Sequence, residues 1–313
     1  MKKIQILFKS MILATLLVAV ACGGNQPKGD KAAVDYDKLT YPQLMEQASA
    51  EQVQAWYDCD SRLDEDEVAA RGKELKAQKK LICFDLDGTV TNHRTPMIPE
   101  NKAVLDKLMA NPEYKVIMVG AGNARRIFDQ MGGYAIDIVA NYGMQEATVV
   151  NGEFVEVRND QCQVDRDFFL KTAQIVRDRY GFTEYTGESV EFHPAGMVTL
   201  GLLGSKAKTE DKLVFDPDKS KRRAIYKDVC ELFKGYAVFI GGTTSFDITQ
   251  IQYNKYDAVM NYAHKHGYTR DQVLFVGDDF GDGGGDSHIR LAGMDYIHIT
   301  DFTKLPERMS FLY

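Results

Sequence analysis

Two carboxylates, Asp85 and Asp87, stand directly after the apolar run Leu81-Ile82-Cys83-Phe84 and just before Gly88-Thr89. Extended backbone points residues i and i+2 to the same side, so the two acids converge on one small volume if the strand geometry carries on. Converging carboxylates attract a divalent cation. A cation beside a nucleophilic Asp suits phosphoryl transfer, because an anionic substrate must be neutralised before a carboxylate attacks it. Asp and Gly are also ordinary turn residues, so a strand followed by an Asp-rich turn is the competing reading of this stretch alone. A second acidic set favours chemistry: Val273 to Val276 is another short apolar run, it ends in Asp278 and Asp279, and the glycine-rich loop behind it carries Asp282 and Asp286.

Short apolar runs bounded by turn residues read as buried strands, and in an open α/β sheet ligands bind where such strands end. Residues 81–84, 116–119 and 273–276 are strands of this kind, with 296–299 a last one. A helix over 102–109 stops at Asn111-Pro112. The turn Gly120-Ala121-Gly122-Asn123 opens a helix to Met131 and could hold phosphate on backbone N–H groups. Between these segments lies a different pattern. Residues 148–150 and 153–157 flank Asn151-Gly152 as a hairpin, and an amphipathic helix runs from about Asp167 to Gly181. Strands over 189–193 and 197–203, a helix marked by Ile225, Val229, Leu232 and Phe233, and a strand over 236–240 follow. The expected fold is α/β: a doubly wound parallel sheet built from 79–147 and 250–313, with an α+β layer, 148–249, inserted between its halves.

Before the core the chain divides into three parts. Lys2, Lys3 and Lys9 precede an apolar run from Met11 to Val20, too short to span a membrane and right for a signal peptide. Ala19-Val20-Ala21 then meets Cys22, which resembles a bacterial lipoprotein box with the lipid on Cys22; plain secretion is the alternative, and either places the mature protein outside the cytoplasm. Residues 23–40 read as a tether, and 41–78 as helices packed on the body, with Trp56 as an anchor. The four other cysteines could form disulfides in an oxidising compartment, yet Cys83 falls in a buried strand and Cys230 on an apolar helix face. No Cys-x-x-Cys or His-Glu-x-x-His spacing points to zinc. A net charge of −7 argues against a nucleic-acid surface, so substrate charge must be met locally. Oligomeric state is not legible.

Asp85-Leu86-Asp87-Gly88-Thr89 resembles the nucleophile motif of the haloacid dehalogenase superfamily. Gly241 to Ile248 and Gly277 to Asp286 resemble its eukaryotic-type phosphomannomutase branch, whose fold is a Rossmann-like core with an inserted cap. The resemblance implies Asp85 as nucleophile, forming an aspartyl-phosphate, and Asp87 as general acid and then base. It implies Mg²⁺ held by Asp85, the backbone carbonyl of Asp87 and Asp278, with Asp286 reaching metal waters and Asp279 and Asp282 as lesser candidates. Lys255 would hold the nucleophile and the phosphoryl oxygens; Thr89, Arg94, Gly122, Asn123, Ser245 and Asp247 would face substrate. None of the six histidines is needed.

Two departures matter. The superfamily places a Ser or Thr hydroxyl where this chain has Gly122-Asn123, so backbone amides or the Asn123 side chain must substitute. The mutases grip a distal phosphate with cap arginines, but the matching positions are Thr186, His193 and Ser205, which cannot form guanidinium forks; Lys206 offers one charge. The expectation is a lipid-anchored, Mg²⁺-dependent phosphohydrolase of a small phosphorylated metabolite such as a sugar phosphate. A true phosphomannomutase is the second reading, and a binding lipoprotein on a retired enzyme fold the third.

Overall fold

Alternation along β1 (Leu81–Phe84) sets the layers: Leu81 and Cys83 point into one hydrophobic core, Ile82 and Phe84 into the other, and helices must cover both. The computed structural model describes residues 35–313; the leader, Cys22 and most of the tether lie outside the described residues. β1 pairs in parallel with β2 (Lys115–Val119) on one side and β10 (Val273–Gly277) on the other. β3 (Asp137–Ala140) and β11 (Tyr296–His298) extend the parallel sheet. One face is covered by α4 (Pro99–Ala110) and α5 (Ala124–Gln130), the opposite face by α9 (Lys255–Lys265). This is the doubly wound arrangement expected, and it brings the carboxyl ends of β1, β2 and β10 together.

One expected boundary shifts. The hairpin assigned to the inserted layer is β4 (Gln145–Val150) and β5 (Glu153–Asn159), and β4 pairs antiparallel with β3, so both strands complete the core sheet in the order β11-β10-β1-β2-β3-β4-β5. Asn151 and Gly152 both have positive φ, as the two-residue turn requires. The reason is pairing: β3 needs a neighbour on its outer edge, and the hairpin follows it within a few residues. The cap therefore starts after residue 159.

The cap is an antiparallel sheet, β6 (Val190–Phe192), β7 (Val198–Gly201), β9 (Ser245–Gln250) and β8 (Tyr236–Gly241) in that spatial order. Its helices α6 (Arg166–Tyr180) and α8 (Ser220–Leu232) cover one face through Phe169, Val176 and Val229, with Phe233 just beyond α8; α7 (Thr209–Phe215) lies between them in the chain. Thr199 and Asp247, paired in register, alternate away from that core. The cap rests on the core: Phe239 stacks on Tyr142 at 4.1 Å, Ile240 N–H donates to the Gly283 carbonyl at 2.7 Å, and Lys219 pairs with Asp279.

Helices α1 (Tyr41–Gln47), α2 (Ala50–Tyr57) and α3 (Glu65–Gln78) pack on the core. Leu44 enters the core beneath α9, Leu63 and Leu75 enter the opposite one, and the Trp56 indole fills the space left by Gly293. Residues 61–63 also bond to Tyr296 at the sheet edge. Tyr36 and Leu39 already pack against this body, so the folded part begins ahead of residue 41. The short helices α10 (Ser287–Leu291) and α11 (Leu305–Met309) complete the chain. Among the described residues no helix is long and apolar enough to cross a membrane, and the four described cysteines are free.

Candidate active site

Asp85 still donates its backbone N–H to Val276 as the parallel ladder ends, so its side chain is aimed by sheet geometry rather than by a loop. Lys255 opens α9 directly after the cap. Its buried Nζ lies 2.5 Å from Asp85 Oδ1 and 2.7 Å from Asp286 Oδ1. The other Asp286 oxygen accepts the N–H groups of Asp278 and Asp279 at 3.1 and 3.0 Å, which pins the loop after β10. Two glycines allow this closeness. A Cβ on Gly88, at φ +94°, would stand 2.7 Å from Asp278 Cγ, and one on Gly277 would stand 2.8 Å from Asp286 Cγ.

The electrostatics follow from burial and crowding. Burial pushes the Asp85 carboxyl up to about 6, with Asp286 and Asp87 adding to the rise and Lys255 opposing it. Asp278 is pushed up to about 9, by burial first and then by Asp85, Asp286 and Asp279. Burial works against the Lys255 ammonium, but Asp286 and Asp85 outweigh it and hold its pKa above the ordinary lysine value. One ammonium thus serves three acids. An oxygen from each of Asp85, Asp278 and Asp286 lies within 4.8 Å of the others, an all-oxygen set that suits a hard divalent cation.

Asp87 turns its carboxylate out of this trio. It accepts from Arg126 Nη2 at 2.9 Å, Gln130 Nε2 at 2.8 Å and the Arg94 N–H at 2.8 Å. Burial alone would raise its pKa; Arg126, Gln130 and the Arg94 N–H outweigh that and hold it below the usual carboxylate range. Thr89 is buried, and its hydroxyl has no hydrogen-bond partner among the described residues. The Asn123 carboxamide caps α5 by accepting from Arg126 N–H, and the Ala124 N–H goes to Gln145, so both are engaged within the fold. The space beside Gly122 is filled by the Arg126 guanidinium.

On the cap side, Asp247 accepts from Thr199 Oγ1 at 2.9 Å, and Thr199 in turn meets His193 Nε2 at 2.9 Å. Burial raises the Asp247 carboxyl, opposed by Thr199 and by the charges of His193, Arg222 and Arg94, which sets Arg94 on the side facing the cap. Ser245 Oγ donates to the Gly241 carbonyl. Asp279 pairs with Lys219 and Arg223 of the cap, and Asp282 with Arg290, so neither joins the trio.

Sequence reasoning missed three residues here. Arg126 and Gln130 sit four apart on α5, a helical spacing that puts both on one face, and Gln130 also holds the Arg126 Nη1. Tyr142 had no comparable signal. It adopts φ +55° next to Asn141 at +48°, and burial together with Asp247, Asp279, Asp286 and Asp85 raises its hydroxyl pKa, so it stands among the acids of both domains.

Residues 202–283 match the family model of the haloacid dehalogenase-like hydrolases. A phosphomannomutase of Schizosaccharomyces pombe is 28% identical over 255 residues, covering 69% of this chain and 87% of its own. Among solved structures, the N-terminally truncated, IMP-bound IMP-nucleotidase of Plasmodium falciparum superposes with a TM-score of 0.58 at 13% identity, over 90% of this chain and 82% of that one. The C-terminal domain of a C. albicans trehalose-6-phosphate phosphatase does so with a TM-score of 0.51 at 15% identity, over 78% and 96%. These structures share the fold. The family match falls on the stretch from the cap's return strands into the acidic loop, and there this chain is similar to the haloacid dehalogenase-like hydrolases.

Proposed function

We propose that this protein is a Mg²⁺-dependent phosphohydrolase of small phosphorylated metabolites, sugar phosphates foremost, acting outside the cytoplasm on a lipid anchor at Cys22. The observation that carries the catalytic part is the Lys255 ammonium held between Asp85 and Asp286 with Asp278 alongside. An Asp85 oxygen attacks phosphorus, the bond to the leaving oxygen breaks, and Asp87 gives that oxygen its proton. Asp87 then takes a proton from water, whose oxygen attacks the acyl-phosphate and returns Asp85 and inorganic phosphate. Lys255 orients Asp85 and offsets charge on the phosphoryl oxygens. Asp85, Asp278, the Asp87 carbonyl and Asp286 would hold Mg²⁺, which when bound would supply the remaining neutralisation. Before it donates, Asp87 must exchange the Arg126 contact for a proton.

The second reading is a phosphomannomutase. The Schizosaccharomyces pombe relative supports it, as do Ser245 and Asp247. The cap supports hydrolysis instead: His193 is engaged with Thr199, and the Ser205 hydroxyl accepts the Glu188 N–H, so neither supplies a cationic fork. Mg²⁺-dependent turnover of p-nitrophenyl phosphate by purified protein tests the enzymatic reading, and a panel of phosphorylated metabolites then ranks substrates. Absence of any metal-dependent turnover would leave the binding-lipoprotein reading.

A further inference from the structure

Four observations converge on Arg126. First, Gly122 offers no side chain at the carboxyl end of β2, and a Cβ there would come within 2.7 Å of the Arg126 Cζ. The backbone of Gly122 is outside the left-handed region, so it is the guanidinium and not the main chain that bars a side chain. Second, two of the substitutes the loop could offer are engaged: the Asn123 carboxamide oxygen caps α5, and the Ala124 N–H bonds to Gln145. Third, the guanidinium reaches the Asp87 carboxylate at 2.9 Å, two residues from the nucleophile, and remains about a third exposed. Fourth, Gln130 bonds Arg126 Nη1 and Asp87 Oδ1 at once, fixing the fork relative to the acid.

We propose that Arg126 is the phosphoryl-binding group that replaces the missing side chain at Gly122, and that an incoming phosphate takes the place of Asp87 as its partner. The inference rests on the phosphohydrolase reading for its ligand. A guanidinium presents parallel N–H donors that match two phosphate oxygens, which a hydroxyl cannot do. The exchange also frees Asp87 from its cation at the moment a leaving group arrives. Resting pairing and substrate binding are thus two states of one side chain. In the resting state the arginine is neutralised locally by Asp87.

The test is equilibrium binding of inorganic phosphate to the Mg²⁺-loaded full chain, followed by ³¹P NMR line broadening or calorimetry, beside p-nitrophenyl phosphate turnover. Arg126→Ala should weaken phosphate binding by about tenfold or more, as loss of a charge-assisted fork does, and Arg126→Lys should recover part of it. Gly122→Ser should harm the wild-type background, where the guanidinium fills the space, yet improve phosphate binding in the Arg126→Ala background by restoring a hydroxyl. That change of sign separates a ligand role from a structural one, and thermal unfolding of each variant reports folding. Phosphate affinity within about twofold of wild type in Arg126→Ala, or a wild type that binds no phosphate, overturns the inference. A wild type that binds phosphate through Arg126 but turns nothing over leaves the inference standing and removes the hydrolase reading.

Discussion

The Lys255 ammonium stands 2.5 Å from Asp85 Oδ1 although 170 residues, including the whole cap, separate them in the chain. The proposed nucleophile is therefore held by the first residue of the helix that follows the cap, and its loss should be felt in chemistry before stability. Asp85→Asn keeps the shape and leaves Lys255 its Asp286 partner, so the fold should persist while turnover falls by a factor on the order of 10⁴ or more. Beryllium fluoride with Mg²⁺ should raise the unfolding temperature of wild type and not of this variant. Equal protection of both would remove Asp85 as the nucleophile.

Lys255→Met should behave differently. It removes the one ammonium from three clustered acids, and breaking a buried pair from one side costs about 3–5 kcal/mol. The metal-free protein should therefore lose stability as well as activity, and Mg²⁺ should restore part of the stability. A variant as stable as wild type in chelator would show that the lysine does not neutralise this cluster.

Metal-free stability should fall as pH rises. Asp278 and Asp85 are pushed up to about 9 and about 6 from an ordinary 3.8, so in that window the folded state binds more protons than the unfolded chain. Stability then declines between about pH 4 and pH 9. Asp278→Asn removes the larger part, and should raise the unfolding temperature in chelator at about pH 8 by a few degrees while abolishing the Mg²⁺-induced rise. Unfolding temperatures with the same pH slope in wild type and variant would show that Asp278 carries no such strain.

How much of this was legible follows from what each residue depends on. Asp85 and Asp278 were legible because strand ends aim them, and a short apolar run followed by acid is a local pattern; Asp286 was found through the glycine-rich loop that carries it. Lys255 was found through its motif neighbours. Arg126 was not, since its position depends on the empty side of Gly122 and on Asp87 across the crevice, neither of which is local. The hairpin around Asn151-Gly152 was recognised as a turn, but its partner strand, 137–140, was not assigned, so its sheet could not be known. Pairing partners are the non-local part of a β-structure.

On the proposed lipid anchor, Cys22→Ser should move the protein from membranes to the soluble extracytoplasmic fraction or leave its leader uncleaved, because this single residue would carry the acyl chains. Radiolabelled palmitate should enter wild type and not the variant. No incorporation into wild type would replace the lipid anchor with plain secretion.

Hydrolysis should outrun mutase activity. A mutase must keep its aspartyl-phosphate from water while a bisphosphate is held in a second orientation, which needs a closed cap and a firm grip on the distal phosphate. The cap does meet the core, through Phe239 on Tyr142 and Lys219 on Asp279. At the positions that resemble the mutases' grip, this chain carries no arginine. His193 is turned to Thr199, the Ser205 hydroxyl accepts the Glu188 N–H, and Lys212 spends its ammonium on the Ser205 carbonyl, so none of them offers a fork to a second phosphate. A sugar phosphate whose distal end is free dwells briefly after transfer, and water reaches Asp85 in its place. Mannose 1-phosphate supplied with Mg²⁺ and a hexose 1,6-bisphosphate should therefore yield free phosphate in excess over mannose 6-phosphate. Arginine introduced together at positions 193 and 205 should shift the ratio toward mannose 6-phosphate, since it restores the missing forks. Dominant mannose 6-phosphate from the wild-type chain, with little phosphate released, would establish the mutase reading instead.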